Sequence, residues 1–575
     1  MINIEQAINS KFPKLKEQAG SKFFFKLMRS LTHEDEINAF IETNQHLRGF
    51  SFLNQILDHF NFSYRVSNRS FNRIPAEGRV ILVANHPIGS LDGLALLKMV
   101  KTIRADVRIV ANDLLNQVKP LQSLFLPIDN LSGKNLKKQQ YTAMLNCLNN
   151  EEAIIIFPAG EVSRISPKGV KDGKWKQGFV KLAVKTASPI LPILIDARNS
   201  AMFYSLSALY KPFGTMMLIH EMFNKEDKDI SFYIGKAVNT EAIKTLELDY
   251  KTLAQRFRKY LYQLNKTPKK NKKTLFHTIE TIKHPVERQA LKQALFASEK
   301  LGETNDGKVI FLCEYSHASV VMQEIGRLRE LTFRSVEEGT GTSLDLDIYD
   351  SYYRHIVLWD ETDLEIVGAY RLGECGSIVK QHGTKGLYTH SLFELDCSFD
   401  SYFPNAIELG RSFVQPRYWG HRSLDYLWYG IGAYLRNNPG IKYLFGPVSL
   451  SSAYPDEAKQ LILSFYKQQL GCLQTLAKAR HPYQFDESLQ NYFKQPYKES
   501  FSQLAKLLAA YNVKVPVLYK QYADLCDDNG CHFIDFSIDK EFNNCIDSLI
   551  LVDISKVKAK KYTRYFESDL KTTKN

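Results

Sequence analysis

Nowhere in the 575 residues is there an uninterrupted apolar run of about 18 or more, so no membrane-spanning helix is expected. The first twenty residues are charged and broken by Pro13, and lack the apolar core of a signal peptide. Cysteine is sparse and scattered, at positions 147, 313, 375, 397, 472, 526, 531 and 545. That spacing excludes a disulfide framework and points to a reducing cytoplasm. Cys526, Cys531 and His532 lie close together but have no second ligand pair, so no metal site is expected. Fixed-period repeats are absent, which excludes a solenoid. Acidic residues are outnumbered, 62 against 75 Lys and Arg, giving a formal charge of +13. An acidic, solvated chain is thereby excluded, and an anionic partner is expected: nucleic acid, anionic lipid or an acidic carrier. What is present is a composition for packed cores, 44% hydrophobic and 12% aromatic. At about 100–200 residues per domain the chain is too long for one.

Residues 1–60 read as helical, with Phe52, Ile56 and Phe60 at helical spacing. From residue 79 the pattern changes. Short buried-strand runs at Arg79–Ala84, Val107–Ala111, Ala153–Phe157, Ile190–Ile195 and Ile230–Ile234 alternate with helix-like segments such as Asn135–Asn149 and Phe179–Thr186. This alternation predicts an α/β layer around a parallel or mixed sheet. Lys266–Lys273 holds five lysines and no acid, and reads as a solvated linker. A helix over Val286–Leu301 and a polar turn cluster at Gly302–Gly307 follow. From Lys308 a second α/β fold is expected: a strand at Val309–Cys313, a helix at Val320–Thr332 and a hairpin of Ile356–Trp359 with Glu365–Arg371. A strand at Ala406–Val414, a helix at Leu424–Arg436 and a strand at Tyr443–Val448 complete it.

Three patches in the first half carry chemistry. Asn85-His86-Pro87-Ile88-Gly89-Ser90-Leu91-Asp92-Gly93 follows a strand and precedes an apolar helix. A His at a strand end is well placed as a general base, and a neighbouring Asp holds its tautomer. Phe157-Pro158-Ala159-Gly160-Glu161-Val162-Ser163-Arg164 also follows a strand, and its Arg suits an anionic group. Ser188-Pro189-Ile190-Leu191-Pro192-Ile193 is an apolar strand whose two prolines suit an edge or a channel wall. In this order the patches resemble the glycerolipid (lysophosphatidate) acyltransferases over roughly residues 60–240. That resemblance implies acyl transfer from a carrier to a lipid hydroxyl. His86 would take the hydroxyl proton, Asp92 would orient His86, and Gly160, Glu161 and Arg164 would bind the acceptor's anionic part. Two departures stand out. Five residues rather than four separate His86 from Asp92, and Ala159 replaces the usual Glu with an extra residue before Ser163-Arg164. An acceptor with a carboxylate in place of glycerol phosphate fits this change. Ala201–Phe223 is apolar and aromatic but interrupted by Lys211 and Pro212. It reads either as a core helix pair or as an element that docks on a membrane surface.

The second half carries Arg329-Glu330-Leu331-Thr332-Phe333-Arg334, then acids at 345, 347 and 350. Ile366–Leu372 and the strand Ile407-Glu408-Leu409-Gly410-Arg411-Ser412-Phe413-Val414 follow. Glu408 among apolar neighbours demands a partner, and Arg411 or Arg371 is the expected one. Together these blocks, with Pro516–Tyr522 and Leu549–Val552, resemble the amino-acid-lipid N-acyltransferases of the ornithine lipid type. That family shares the GNAT-type fold of the acyl-homoserine lactone synthases. The resemblance covers most of 308–566, except an insert at 461–507 that reads as extra helices. It implies transfer of a 3-hydroxyacyl group to an amino acid's α-amine. Glu408 is the candidate catalytic acid–base group, with Asp347, Asp350, Arg371 and Arg411 as substrate-binding candidates.

The expected architecture is α/β with two domains. A helical segment spans 1–60, a glycerolipid acyltransferase-like domain 61–262, a basic linker and helix 263–307, and a GNAT-type domain 308–575. The expected function is a bifunctional acyltransferase making a di-acyl amino-acid lipid: N-acylation by the second domain, then O-acylation of the new hydroxyl by the first. No cofactor is expected beyond acyl carrier protein or acyl-coenzyme A as co-substrate. The expected partners are acyl carrier protein, an amino acid and a membrane lipid surface, with peripheral attachment at the cytoplasmic face of the inner membrane. Nucleic acid is excluded, since no motif supports it. Two other readings are a lysophospholipid acyltransferase with a regulatory second half, and a non-catalytic peripheral membrane protein.

Overall fold

The computed structural model describes residues 29–567 except 31, 113–117, 129–137, 168, 210, 226–227, 267–274, 316–318 and 473. The helical expectation for residues 1–28 and all of the basic Lys266–Lys273 segment except Lys266 lie outside the described residues. The chain divides into two compact units, Met1–Thr281 and Ile282–Asn575.

The first unit is built on a seven-stranded sheet: β1 (Ser63–Val66), β2 (Val80–Ala84), β3 (Val107–Asn112), β4 (Phe125–Ile128), β5 (Ala153–Ile156), β6 (Ile190–Asp196) and β7 (Asp229–Ile234). Their order is β1-β7-β6-β2-β5-β3-β4. Every pair is parallel except β6 with β7. Parallel strands need crossover helices, and those helices cover both faces. That is why β2 is buried along its whole length. Val80, Leu82 and Ala84 join one core with α1 (Gly49–His59) and α2 (Ser90–Lys101). Ile81 and Val83 join a second core with α3 (Lys138–Asn149), α4 (Gly178–Thr186) and α5 (Tyr250–Leu261). The prolines at 189 and 192 suited an edge or a channel wall; β6 is not an edge, since it lies between β7 and β2 and is buried over its first six residues. The Pro192 ring is accommodated because its neighbour is Gly235, where a Cβ would come within 2.8 Å of the ring. The apolar stretch after β6 forms two helices, α6 (Ala201–Leu209) and α7 (Lys211–Phe223).

The second unit holds an eight-stranded sheet of β8 (Glu299–Glu303), β9 (Val309–Cys313), β10 (Arg354–Asp360), β11 (Glu365–Glu374), β13 (Ala406–Val414), β14 (Tyr443–Leu450), β16 (Cys531–Asp539) and β17 (Cys545–Asp553). The order is β16-β17-β14-β13-β11-β10-β9-β8. The helix expected over Val286–Leu301 stops early: α8 is Arg288–Phe296, and Glu299–Glu303 instead pairs with β9 as an edge strand. Tertiary pairing overrides the helical pattern there. The second fold therefore begins before Lys308. Helix α9 (Val320–Ser335) and α8 pack on one face with Val357 and Trp359 of β10. Helix α10 (Ser423–Asn437) packs on the other with Ile356 and Leu358. The 461–507 region supplies parts of α11 (Asp456–Leu470) and α12 (Tyr497–Ala509). It also supplies a short strand, β15 (Ala477–Ala479), which pairs with β12 (Phe393–Leu395).

One pair in this sheet differs from the rest. β13 and β14 run parallel and pair only at Ala406–Tyr443, Ile407–Leu444 and Glu408–Phe445, after which they separate. At the same point β13 carries a bulge against β11, with Arg411 at φ 47°. A residue held in this region is rare outside glycine and re-aims its side chain. Gly446 on β14 faces it: a Cβ there would lie 2.0 Å from the Leu409 carbonyl oxygen.

Candidate active sites

In the first unit, the loop after β2 and the first turn of α2 bring His86 to Asp92. Their separation of five residues is absorbed by Gly89 at φ 104°, a conformation open to glycine. The helix then starts at Ser90, and Asp92 falls in its first turn. Asp92 is completely buried, and its Oδ2 accepts the backbone N–H groups of Ile88 (2.9 Å) and Gly89 (3.3 Å). Oδ1 is thereby aimed at His86, whose Nδ1 lies 2.9 Å away. The imidazole is about one-fifth exposed and stacks on Phe157 with centroids 4.1 Å apart. Burial pulls its pKa down, but Asp92 and then Asp172 outweigh burial, and the net shift is upward. Asn85 ties this loop to β6 through Ile195, donating to its carbonyl (2.9 Å) and accepting its N–H (2.7 Å).

The second patch meets the first. Ser163 N–H donates to the His86 carbonyl at 2.7 Å, which sets Arg164 beside the His86 loop. Gly160, at φ 71°, makes the turn after β5, and Glu161 is exposed. Arg164 donates to the Ser207 hydroxyl on α6 and lies over the Phe203 ring at 5.5 Å. Among the described residues its buried Nε has no hydrogen-bond partner. Sequence reasoning missed Asp172, which knits the two patches together. Asp172 accepts from the His86 N–H (3.2 Å), the Ser163 hydroxyl (2.6 Å) and the Trp175 indole (2.9 Å). No motif marks it, because its partners are joined only in the fold.

In the second unit, the separation of β13 from β14 opens a cavity of about 700 Å³. Its walls include Phe333, Phe413, Val448 and Leu518, and its polar lining includes Glu338, Tyr388, Arg411 and Asp547. Arg411 is the expected site residue that reaches it. Behind Arg411, three arginines and three aspartates interlock. Arg371 Nη1 meets Asp347 Oδ1 (2.6 Å) and Asp350 Oδ1 (3.2 Å). Arg329 meets Asp345 (3.1 Å) and Asp350 (2.8 Å). Arg411 lies 3.7 Å from Asp345 and 3.5 Å from Asp347. The structure thus brings Asp347, Asp350, Arg371 and Arg411 together, but mostly below the cavity rather than in it. Burial opposes the charge of Asp350, yet Arg329 and Arg371 win and hold it well below the usual carboxylate range. His355, buried beside the cluster, is pulled down to about 3 and is neutral.

Glu408 does not occupy the expected place. It is 1% exposed, does not line the cavity, and its partners are neither Arg371 nor Arg411. Its carboxylate accepts the Thr389 N–H and hydroxyl, both at 2.6 Å, the Tyr388 N–H at 3.2 Å, and the Tyr353 hydroxyl. With its oxygens spent in this way, it fixes the Tyr388 segment against β13 and has no lone pair presented to a substrate. The groups that do face the cavity, Glu338 and Asp547, belong to no motif singled out from the sequence.

These two sites, a His–Asp pair on a parallel α/β sheet and a cavity at a separated strand pair, define an acyltransferase with two units. An acyltransferase family model matches residues 7–265, and an acetyltransferase (GNAT) domain model matches residues 328–429. A glycine N(alpha)-acyltransferase of Bacteroides thetaiotaomicron is 31% identical over 308 residues, 50% of this chain and 90% of that protein. The chain belongs to the family of these N(alpha)-acyltransferases. A lyso-glycine lipid O-acyltransferase of Phocaeicola vulgatus is 28% identical over 246 residues, 41% of this chain and 86% of that protein. An L-ornithine N(alpha)-acyltransferase of Brucella abortus is 31% identical over 194 residues, 30% of this chain and 64% of that protein.

Proposed function

We propose that this chain makes a di-acyl amino-acid lipid in two steps. The second unit transfers a 3-hydroxyacyl group from an acyl carrier protein or coenzyme A thioester to the α-amine of an amino acid. The first unit then acylates the hydroxyl of that product. The observation that carries this reading is the presence in one polypeptide of likeness to both an amino-acid N-acyltransferase and a lyso-amino-acid-lipid O-acyltransferase. Glycine is the proposed amino acid, because likeness to the glycine enzyme extends over a larger share of both chains than likeness to the ornithine enzyme.

In the first unit, His86 takes the hydroxyl proton as oxygen attacks the thioester carbonyl, and Asp92 holds the imidazole and stabilises its cation. Arg164 receives the acceptor's carboxylate, since a guanidinium suits a planar anion as well as a phosphate. In the second unit, the apolar walls of the cavity hold the acyl chain, and Arg411 and Tyr388 close its polar end. Among the described residues no helix is long and apolar enough to cross a membrane. Ile165 and Met202 are large, exposed side chains near Arg164 and Phe203, which supports attachment to a lipid surface. A positively charged chain suits anionic lipid and an acidic carrier alike.

The test is lipid extraction from a host expressing the chain or its His86→Ala variant. The wild type should yield a di-acyl amino-acid lipid and the variant a mono-acyl lipid with a free hydroxyl. Unchanged di-acyl lipid in the variant, or altered phospholipid alone with the wild type, overturns the reading.

A further inference from the structure

The second unit needs a group that receives the amine and removes its proton, and the acid expected for this, Glu408, is spent in holding the backbone. We propose that Glu338, together with Asp547 on the same cavity wall, receives the substrate's amine and that Glu338 takes its proton as the amide forms. This rests on the N-acylation reading above.

Glu338 follows α9 and is held rigidly. Its N–H donates to the Phe333 carbonyl at 2.8 Å, and its Oε2 accepts the Ser449 hydroxyl at 3.0 Å. The turn around it is tied down by Ser451, whose hydroxyl donates to the Val336 carbonyl, and by Asn543, whose amide donates to the Glu337 carbonyl. Glu338 is 6% exposed and Asp547 5% exposed, and both line the cavity. Buried carboxylates are costly unless paired. Among the described residues, Glu338 has one neutral hydroxyl as its side-chain hydrogen-bond partner, and Asp547 receives only the weak Cys545 thiol at 3.9 Å. Arg411 faces both and favours their charged forms, but it is shared with Asp345 at 3.7 Å and Asp347 at 3.5 Å. Two acids that share one arginine on the wall of an apolar cavity are a site for a further positive group, and an amino acid's ammonium supplies one.

The environment also suits proton transfer. Burial pushes Glu338 up to about 7, with Ser449 and Arg411 pulling the other way. A base acts best when its pKa lies near the working pH. The charged and titratable groups facing the pair are Arg411 on β13, Tyr388 on the segment before β12, Tyr454 beyond β14, Tyr519 on the helix Val517–Ala523, Asp539 at the end of β16 and Cys545 on β17. The bound ammonium first loses one proton to solvent, the net proton the reaction releases, and the remaining step balances as follows. The neutral amine nitrogen attacks the thioester carbonyl carbon, a C–N bond forms, and the Glu338 carboxylate accepts the N–H proton. The C–S bond then breaks, and the departing sulfur takes that proton, leaving amide, thiol and a regenerated carboxylate.

The experiment uses the purified full chain with glycine and a 3-hydroxyacyl-coenzyme A or 3-hydroxyacyl carrier protein, following amide formation by mass spectrometry from about pH 5.5 to 9. Wild-type kcat should fall as pH drops through about 7. Glu338→Gln should lower kcat by roughly 10²–10⁴-fold with the KM for acyl donor unchanged and the low-pH limb lost. Glu338→Asp should restore part of the rate. Should Glu338→Gln lose its fold by thermal unfolding, Ser449→Ala decides: losing that hydroxyl raises the Glu338 pKa and should move the limb to higher pH. A folded Glu338→Gln within about threefold of wild-type kcat at every pH, or a Ser449→Ala limb that does not move, overturns the proposal. A wild type that forms no amide with any amino acid removes the N-acylation reading and the proposal with it.

Discussion

Glu408→Gln separates a carboxylate that organises the backbone from one that handles protons. Glu408 Oε1 accepts two donors from Thr389, and Oε2 accepts the Tyr388 N–H and the Tyr353 hydroxyl. An amide replaces one oxygen by an N–H donor. The hydroxyl on that side can turn and accept from it, but the backbone N–H cannot. With the amide nitrogen at Oε1 the Thr389 N–H is stranded; at Oε2 the Tyr388 N–H keeps the Tyr353 oxygen at 3.1 Å and the Tyr353 hydroxyl loses its acceptor instead, so one buried donor is left unsatisfied either way, which costs about 1–3 kcal/mol. In a unit of this size, 1 kcal/mol moves Tm by about 2–4 °C, so a drop of roughly 2–12 °C is expected. Glu408→Ala strands the Thr389 N–H and the Tyr353 hydroxyl, while the Tyr388 N–H keeps the Tyr353 oxygen at 3.1 Å, and it should cost about twice as much, before any loss of buried methylene contact. The assay pairs thermal unfolding of the full chain with N-acylation kcat measured well below the transition. The Gln variant should keep the wild-type pH profile and stay within about tenfold in kcat. An unchanged Tm with a loss of 10²-fold or more in kcat would refute the reasoning, since it would mean that the carboxylate works on the substrate despite its four donors.

The His86–Asp92 pair makes a second prediction, for pH. Because the His86 pKa is raised, O-acylation by the neutral base should climb with pH through a midpoint above the ordinary value of about 6.5. The sign for stability is opposite: the imidazolium–carboxylate pair contributes fully below about pH 6.5 and its contribution disappears as pH rises through the folded-state pKa. Denaturant unfolding across that window should show the loss in wild type and not in His86→Ala, and parallel curves for the two would count against the pairing. A third prediction concerns Gly446→Ala. Its Cβ would lie 2.0 Å from the Leu409 carbonyl oxygen, a contact no side-chain rotation relieves, so the variant should lose more than about 2 kcal/mol and N-acylation with it. Wild-type stability in that variant would mean that the β13–β14 approach is looser than described.

Periodicity alone placed most elements of both units, because buried parallel strands such as Val80–Ala84 are apolar runs and α9 and α10 repeat at helical spacing. It failed where pairing decides the state. Glu299–Glu303 has a helical neighbour in sequence but a strand neighbour in space. β6 carries Pro192, with Pro189 just before it, and lies at no edge, since Gly235 provides the room for the Pro192 ring. In the first unit, His86, Asp92 and Arg164 were visible because loop residues at strand ends cluster in short motifs. Asp172 was not, since its donors are His86, Ser163 and Trp175, brought together by folding.

The sequence by itself determined that there are two α/β units, that the first carries a His–Asp pair beside an arginine, and that the second gathers acids and arginines in its motifs, whereas the pairing of the aspartates with the arginines came from the fold. The first three follow from local patterns and from the cost of burying single charges. Which acids are spent and which are open was decided only by the tertiary structure. Glu408 and Glu338 are both buried glutamates, yet four donors converge on the first and a single hydroxyl on the second. The difference arises where β13 and β14 part company. Donors on the Tyr388 segment close over Glu408 on the paired side of the strand, and beyond the bulge at Arg411 the gap leaves Glu338 and Asp547 facing an apolar cavity.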